Sequence, residues 1–299
     1  MALSNDQLST WTNAPSSTKS QFTHAEVRKA LAQSQALRGL NYEVYLQGSY
    51  ANSTNTRVDS DIDIVVQLNS TFSPDTTALT FEQQVLYHQA FPNSATYRWA
   101  NFRQDIINAL VAYFEAGSVK PDTKCIKLAK NEQRVQADVI PCIQHRQYQS
   151  FATWNHGDFV EGMKFWSGGT KEIVNYPKVH LKNGEDKNAD HRTDEKYKHL
   201  VRIVKNIRRR LVEEKNFNAD AARSYFVECA IYNVPDGHFN GDYKTSLEYV
   251  LDHILYKCTP AQMLTVSHQH VLFGTEPWQW NTNDASTFFT AAKKYYENN

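Results

Sequence analysis

The chain has 299 residues, 41% of them hydrophobic, and its 32 basic and 32 acidic side chains cancel to a formal net charge of zero. Such a balance excludes attraction to nucleic acid through net charge, although it permits a local basic surface, and the length suffices for one large core or two lobes. The first twenty residues are polar and no run of 18 apolar residues occurs; Cys125, Cys142, Cys229 and Cys258 form no CxxC pair or zinc spacing, so a soluble cytoplasmic protein with free thiols is expected.

In chain order, the first expected helix lies within residues 23–40, where Val27, Leu31, Leu37 and Leu40 share a face and Thr23 with Glu26 has capping-box spacing, with a start as early as Ser16 allowed. The stretch LQGSYANSTNTRVDSDIDIVV follows, from Leu46 to Val66. Gln47, Gly48 and Ser49 make a tight turn whose backbone N–H groups and hydroxyl suit phosphate oxygens. Asp61 and Asp63 alternate with Ile62 and Ile64, so on a strand both carboxylates project from one face while the isoleucines enter the core. Asp59 has the same parity but is followed by Ser60 rather than an apolar residue, which leaves the metal role with 61 and 63.

A polar connection over 69–101 shows weak helical patterning, and a helix carrying Phe102, Ile106, Ile107, Leu110, Val111 and Phe114 is expected to stop at Gly117. Strands are expected over 124–128 and 135–140, the second turning Asp138 out of its apolar face as a third carboxylate; a lone Asp between apolar residues is also compatible with a sheet-edge charge. A hairpin then runs from 162–166 through SGGT to 171–175. Helices are expected over 194–214, 221–233, 243–257 and 284–296, and the intervening KNGEDKNADHRTD is read as the loop between lobes. The helix over 194–214 carries Lys196, Lys198, Arg202, Lys205, Arg208, Arg209 and Arg210, read for most of them as a solvated basic face. His268 and His270 have no further ligands at metal spacing, and Trp278 and Trp280 are read as core or lobe packing.

The Gly-Ser turn, the Asp61/Asp63 pair and the later Asp138 resemble the polymerase-β-type nucleotidyltransferases. IVNYP (173–177), KVHLKNGEDKN (178–188), VRIVKNIRRRL (201–211) and SYFVECAIYNVP (224–235) narrow the resemblance to the clade E branch of the cGAS/DncV-like nucleotidyltransferases of bacteria, over nearly the whole chain. The resemblance implies an α+β fold with a polymerase-β-type sheet lobe (1–190, including the N-terminal helix) and a helical lobe (191–299) forming one bilobal unit. It implies a template-independent synthase joining NTPs into a cyclic dinucleotide for antiphage signalling, with two Mg²⁺ ions, or Mn²⁺, on Asp61, Asp63 and Asp138. Asp138 is then the proton acceptor, with water as the alternative.

By the same resemblance, Lys205 and Ser224 contact the donor triphosphate, and Tyr225 stacks on a base, a core role being equally open. Asn175 sits where a strand ends before Tyr176 and Pro177, which suits an Asx-turn; its amide also complements the edge of uracil, a role the family gives to an asparagine, with Asn155 the weaker alternative. That assignment implies a pyrimidine-containing product such as cyclic UMP-AMP or cyclic di-UMP, with ATP and UTP, and beyond them GTP or CTP, as substrates and a cyclic-nucleotide effector downstream. The inserted zinc segment with which vertebrate cGAS grips DNA has no counterpart, so activation by that device is not expected, nor is a membrane partner. Rival readings are a nucleotidyltransferase modifying a tRNA end, protein or small molecule, and a non-catalytic binding protein, which three crowded carboxylates argue against.

Overall fold

In the computed structural model, which describes residues 3–56, 61–153, 157–276 and 278–298, α1 (Asn5–Thr12) and α2 (Thr18–Gln33) precede β1 (Tyr42–Gln47), the one-turn α3 (Gly48–Ala51) and β2 (Ile62–Asp75). Next come α4 (Phe81–Ala90), α5 (Trp99–Tyr113), β3 (Val119–Pro121), β4 (Ile126–Leu128), β5 (Ala137–Phe151), β6 (Gly157–Ser167) and β7 (Lys171–Asn175). The remainder is helical: α6 (Pro177–Asn188), α7 (Asp190–Thr193), α8 (Lys196–Lys215), α9 (Ser224–Tyr232), α10 (Tyr243–Tyr256) and α11 (Thr282–Asn298). The architecture is the expected α+β one, a mixed sheet with helices followed by a helical second part.

By packing the chain divides into Ser16–Tyr50 with Asp59–Lys178, and Met1–Pro15 with Ala51–Val58 and Val179–Asn299. The expectation from sequence places this boundary at 190/191 and the first residues with the sheet. The first unit holds a seven-stranded sheet of order β1-β2-β5-β4-β3, in which β6 pairs with β5 and β7 with β6. Strands β2 and β5 are parallel and all other pairs antiparallel. Alternation decides the faces: Ile62, Ile64, Val66 and Leu68 of β2 and Ala137 and Val139 of β5 pack with Val27 and Leu31 of α2 and Phe102, Ile106 and Leu110 of α5. The opposite face carries Asp63, Val65 and Gln67 beside Asp138, Ile140 and Cys142.

The second unit is a helical core around α8, α9, α10 and α11, with Leu8 and Trp11 of α1 packed into it. Trp280 lies parallel to Phe226 and Phe273 at 5.6 and 5.7 Å, as core packing requires, whereas Trp278 is 54% exposed. His268 packs on the Tyr232 ring at 5.4 Å.

Several expected elements differ in extent. Helix α1 has no counterpart among them, because its buried side, Leu8, Trp11 and Thr12, holds just two apolar residues. Thr23 is an interior residue of α2 whose hydroxyl donates to the Lys19 carbonyl at 2.7 Å instead of capping; α2 ends at Gln33, where Ser34 becomes extended. Strands β2 and β5 run far beyond the apolar stretches that announce them, because each pairs with the other along most of its length. The polar connection over 69–101 thus contains the end of β2, all of α4 and the start of α5. The stretch KNGEDKNADHRTD, expected as a loop, is helical in α6 and α7: Lys187 is buried and donates to the Val234 carbonyl at 2.5 Å and Asp236 at 2.8 Å, so tertiary bonds hold a polar sequence helical.

Candidate active site

In the sheet unit the turn and the carboxylates meet by register. Asp63 of β2 lies opposite Gln47 of β1 on one side and Asp138 of β5 on the other. Directly after Gln47, Gly48 adopts φ +70°, a left-handed conformation that other residues adopt at a cost. A Cβ there would stand 2.7 Å from Asp63 Oδ2, so the turn closes directly over the carboxylate. Ser49 follows in α3. Asp61, just before β2, is exposed, and its Oδ2 accepts from Gln136 Nε2 at 2.9 Å. Asp59 and Asn155 lie outside the described residues.

Electrostatics mark Asp63 as the strained member. Burial first, then the charges of Asp138 and Asp61, push its carboxyl up to about 6 from an ordinary value of 3.8. Asp138 Oδ1 is buried without a hydrogen-bond partner, while the carboxyl accepts a bond from Cys125, a residue that in the sequence is one of four unremarkable thiols. Burial, with Asp138 beside it, raises that thiol to about 12, so Cys125 stays protonated and serves as a donor.

The donor set is all oxygen, which suits a hard divalent cation. Among the described residues no three acidic, His or Cys side chains close on a single point. An all-oxygen set fits an ion that takes one or two protein carboxylates and completes its shell with water and phosphate oxygens, as Mg²⁺ does. Asn175 is exposed at the end of β7, opposite Met163, and its backbone carbonyl sits against Gly162.

The helical unit holds the other expected residues. Ser224 opens α9 and is exposed; Tyr225 is 44% exposed, its ring 5.7 Å from that of His180. Lys205, expected on a phosphate, is only 6% exposed and donates to Glu228 Oε2 at 2.9 Å, to Thr54 Oγ1 at 2.9 Å and to the Thr54 carbonyl at 3.3 Å, which occupies all three of its protons. Nor is the face of α8 wholly solvated: Arg202 is buried and donates to the carbonyls of Thr12 and Ser53, and Arg208 to those of Ala222 and Ala219. Glu228 is absent from the residues expected from sequence, though a signal is present, since it is the one charged residue in SYFVECAIY.

Residues 25–156 match the nucleotidyltransferase domain family, and residues 182–297 the C-terminal helical domain of cGAS/DncV-like nucleotidyltransferases. The chain is 38% identical to the cyclic UMP-AMP synthase of Rhodothermus marinus over 96% of both chains, and 35% identical to the cyclic nucleotide synthase CdnE01 of Staphylococcus haemolyticus over 99% of both. The solved structure of the R. marinus CdnE c-UMP-AMP synthase with Apcpp and Upnpp superposes with a TM-score of 0.88, covering 99% of this chain and 97% of that one at 36% identity.

Proposed function

Because the chain belongs to the cGAS/DncV-like nucleotidyltransferases, in their CdnE branch of cyclic dinucleotide synthases, we propose that it joins UTP, alone or with a purine nucleotide, into a pyrimidine-containing ring such as cyclic UMP-AMP or cyclic di-UMP. The observation that carries the reaction is the alignment of Asp63 with Asp138 across two parallel strands, with Gly48 closed over Asp63. The two units act in this reading as one bilobal enzyme.

Asp61, Asp63 and Asp138 would hold Mg²⁺, two ions by the family pattern, which supplies charge neutralisation on the phosphates and lowers the proton affinity of the acceptor hydroxyl. Backbone N–H groups at Gly48 and Ser49, with the Ser49 hydroxyl and Gln47, bind and orient the donor triphosphate. The acceptor sugar oxygen forms its bond to the α-phosphorus as the bond to the β-phosphate bridging oxygen breaks, and pyrophosphate leaves. The acceptor proton passes to Asp138 Oδ1, the oxygen that has no partner in the fold. A second transfer with donor and acceptor exchanged closes the ring. Ser224 adds a phosphate donor and Tyr225 a stacking surface, while Lys205 would reach phosphate only by exchanging one of its three present partners. Asn175 reads uracil through its amide.

We read the product as a second messenger for antiphage signalling through a cyclic-nucleotide effector, made without DNA. Among the described residues no helix is long and apolar enough to cross a membrane. Incubating the purified protein with all four NTPs and Mg²⁺ and resolving products by mass spectrometry tests the proposal: a cyclic product containing uridine supports it. A ring of purines alone overturns the base assignment. No cyclic product, with label moved instead to tRNA, protein or a small molecule, favours the rival transferase.

A further inference from the structure

Glu228 is only 4% exposed, on a helix otherwise free of charge. A carboxylate in that position needs donors, because an unpaired buried charge is among the costliest things a fold can contain. Four donors reach it. Oε2 accepts from Lys205 Nζ at 2.9 Å and Thr54 Oγ1 at 2.9 Å, and Oε1 accepts from Asn52 Nδ2 at 3.2 Å and lies 2.9 Å from His180 Nε2. Burial would raise this carboxyl, but the Lys205 charge and the His180 bond outweigh it and hold the group well below its ordinary value.

What these bonds secure is specific. Asn52 and Thr54 are buried, and Ser53 between them has φ +55° with its carbonyl bonded to Arg202. Three consecutive residues are thus fixed by side chains of α8 and α9, and they stand between Ser49 and Asp61 in the chain. On another side, His180 is held against Glu228 while its ring lies beside Tyr225. An ion pair buried this way returns little net stability compared with apolar side chains of the same volume, so stability alone does not account for it.

We propose that Glu228 is a positioning residue of the transfer reaction, holding the segment that follows the Gly48–Ser49 turn and, through His180, the ring of Tyr225 in the arrangement the nucleotides meet. The inference rests on the transfer reading given above. Its test is Glu228→Gln, which keeps the shape and removes the charge. Expected is a fall in kcat of about 10- to 100-fold with the nucleotide KM little changed, since displaced groups lose orientation rather than contact, together with faster amide exchange over residues 51–56.

A double variant, Lys205→Met with Glu228→Leu, removes both charges and should melt close to the wild type while leaving kcat low and exchange fast. If the double variant regains kcat along with its melting temperature, or if Glu228→Gln leaves kcat and exchange untouched, Glu228 is a packing element only and the proposal is overturned. A loss that takes the form of a raised KM at full kcat overturns it equally. Should Glu228→Gln fail to fold, the double variant decides. A wild type that makes no product from NTPs would instead sink the transfer reading; amide exchange, which needs no turnover, would still report whether Glu228 anchors the segment.

Discussion

Gly48 and Asp63 are in such close apposition that one added methyl on the glycine would stand 2.7 Å from the carboxylate Oδ2. Gly48→Ala therefore carries two penalties. One is about 1–2 kcal/mol for an L-residue in the left-handed region, and the other is displacement of Asp63. Turnover with Mg²⁺ is expected to fall by about 100-fold. Gly39→Ala is the control: its φ is +81° but nothing lies within 4 Å of the added Cβ, so its melting temperature should drop without loss of turnover. Equal turnover in both variants would detach the Gly48 turn from the chemistry.

Asp63 gives a stability prediction with a defined sign. Its folded-state carboxyl is raised to about 6, by burial first and then by Asp138 and Asp61, so the native state binds a proton more tightly than the unfolded chain does. The stability contributed by that proton is complete below the unfolded value of 3.8 and is lost as pH rises through about 6. Asp63→Asn should accordingly raise the melting temperature of the metal-free protein at pH 7.5, and the gain should dwindle towards pH 4. It should also abolish turnover. Thermal scans in EDTA across that range check the first point, and an increment independent of pH would refute it.

Base choice is tested at Asn175. Replacement by serine shortens the side chain and removes the paired donor and acceptor that match uracil, while the exposed strand end tolerates the change. With equimolar NTPs, Asn175→Ser should move product from uridine towards purines at nearly unchanged stability. Mass spectrometry of the product ratio measures this; the wild-type ratio would leave Asn175 with an Asx-turn role at the strand end.

Lys205→Ala is expected to be a severe stability mutant. Removing the ammonium leaves Glu228 buried without its counter-charge, a loss of about 3–5 kcal/mol, where a solvated lysine would cost within about 0.5 kcal/mol. Urea unfolding distinguishes the two. A near-neutral result would mean that the ammonium is not committed to Glu228 and is available to phosphate.

What is local in the sheet unit was legible: a glycine turn precedes a strand on which alternation assigns Ile62 and Ile64 to the core and Asp63 to the opposite face, while Asp61 stands just before that strand. The helices α8 to α11 were likewise announced by their apolar period, and the hairpin of β6 and β7 by SGGT. Pairing decided the rest. The length of β2 and β5 comes from their mutual parallel ladder, and the helicity of α6 from bonds its lysine makes to residues some fifty positions away. Resemblance alone sets Lys205 apart from the other cations of its helix, as a phosphate contact; only the fold, by bringing Thr54 and Glu228 to it across 151 and 23 residues of sequence, makes it a buried and paired charge. The physical reason is that periodicity reports which face of a helix is apolar, whereas the partner of a buried charge is chosen by tertiary contact, and no spacing in the sequence records that choice.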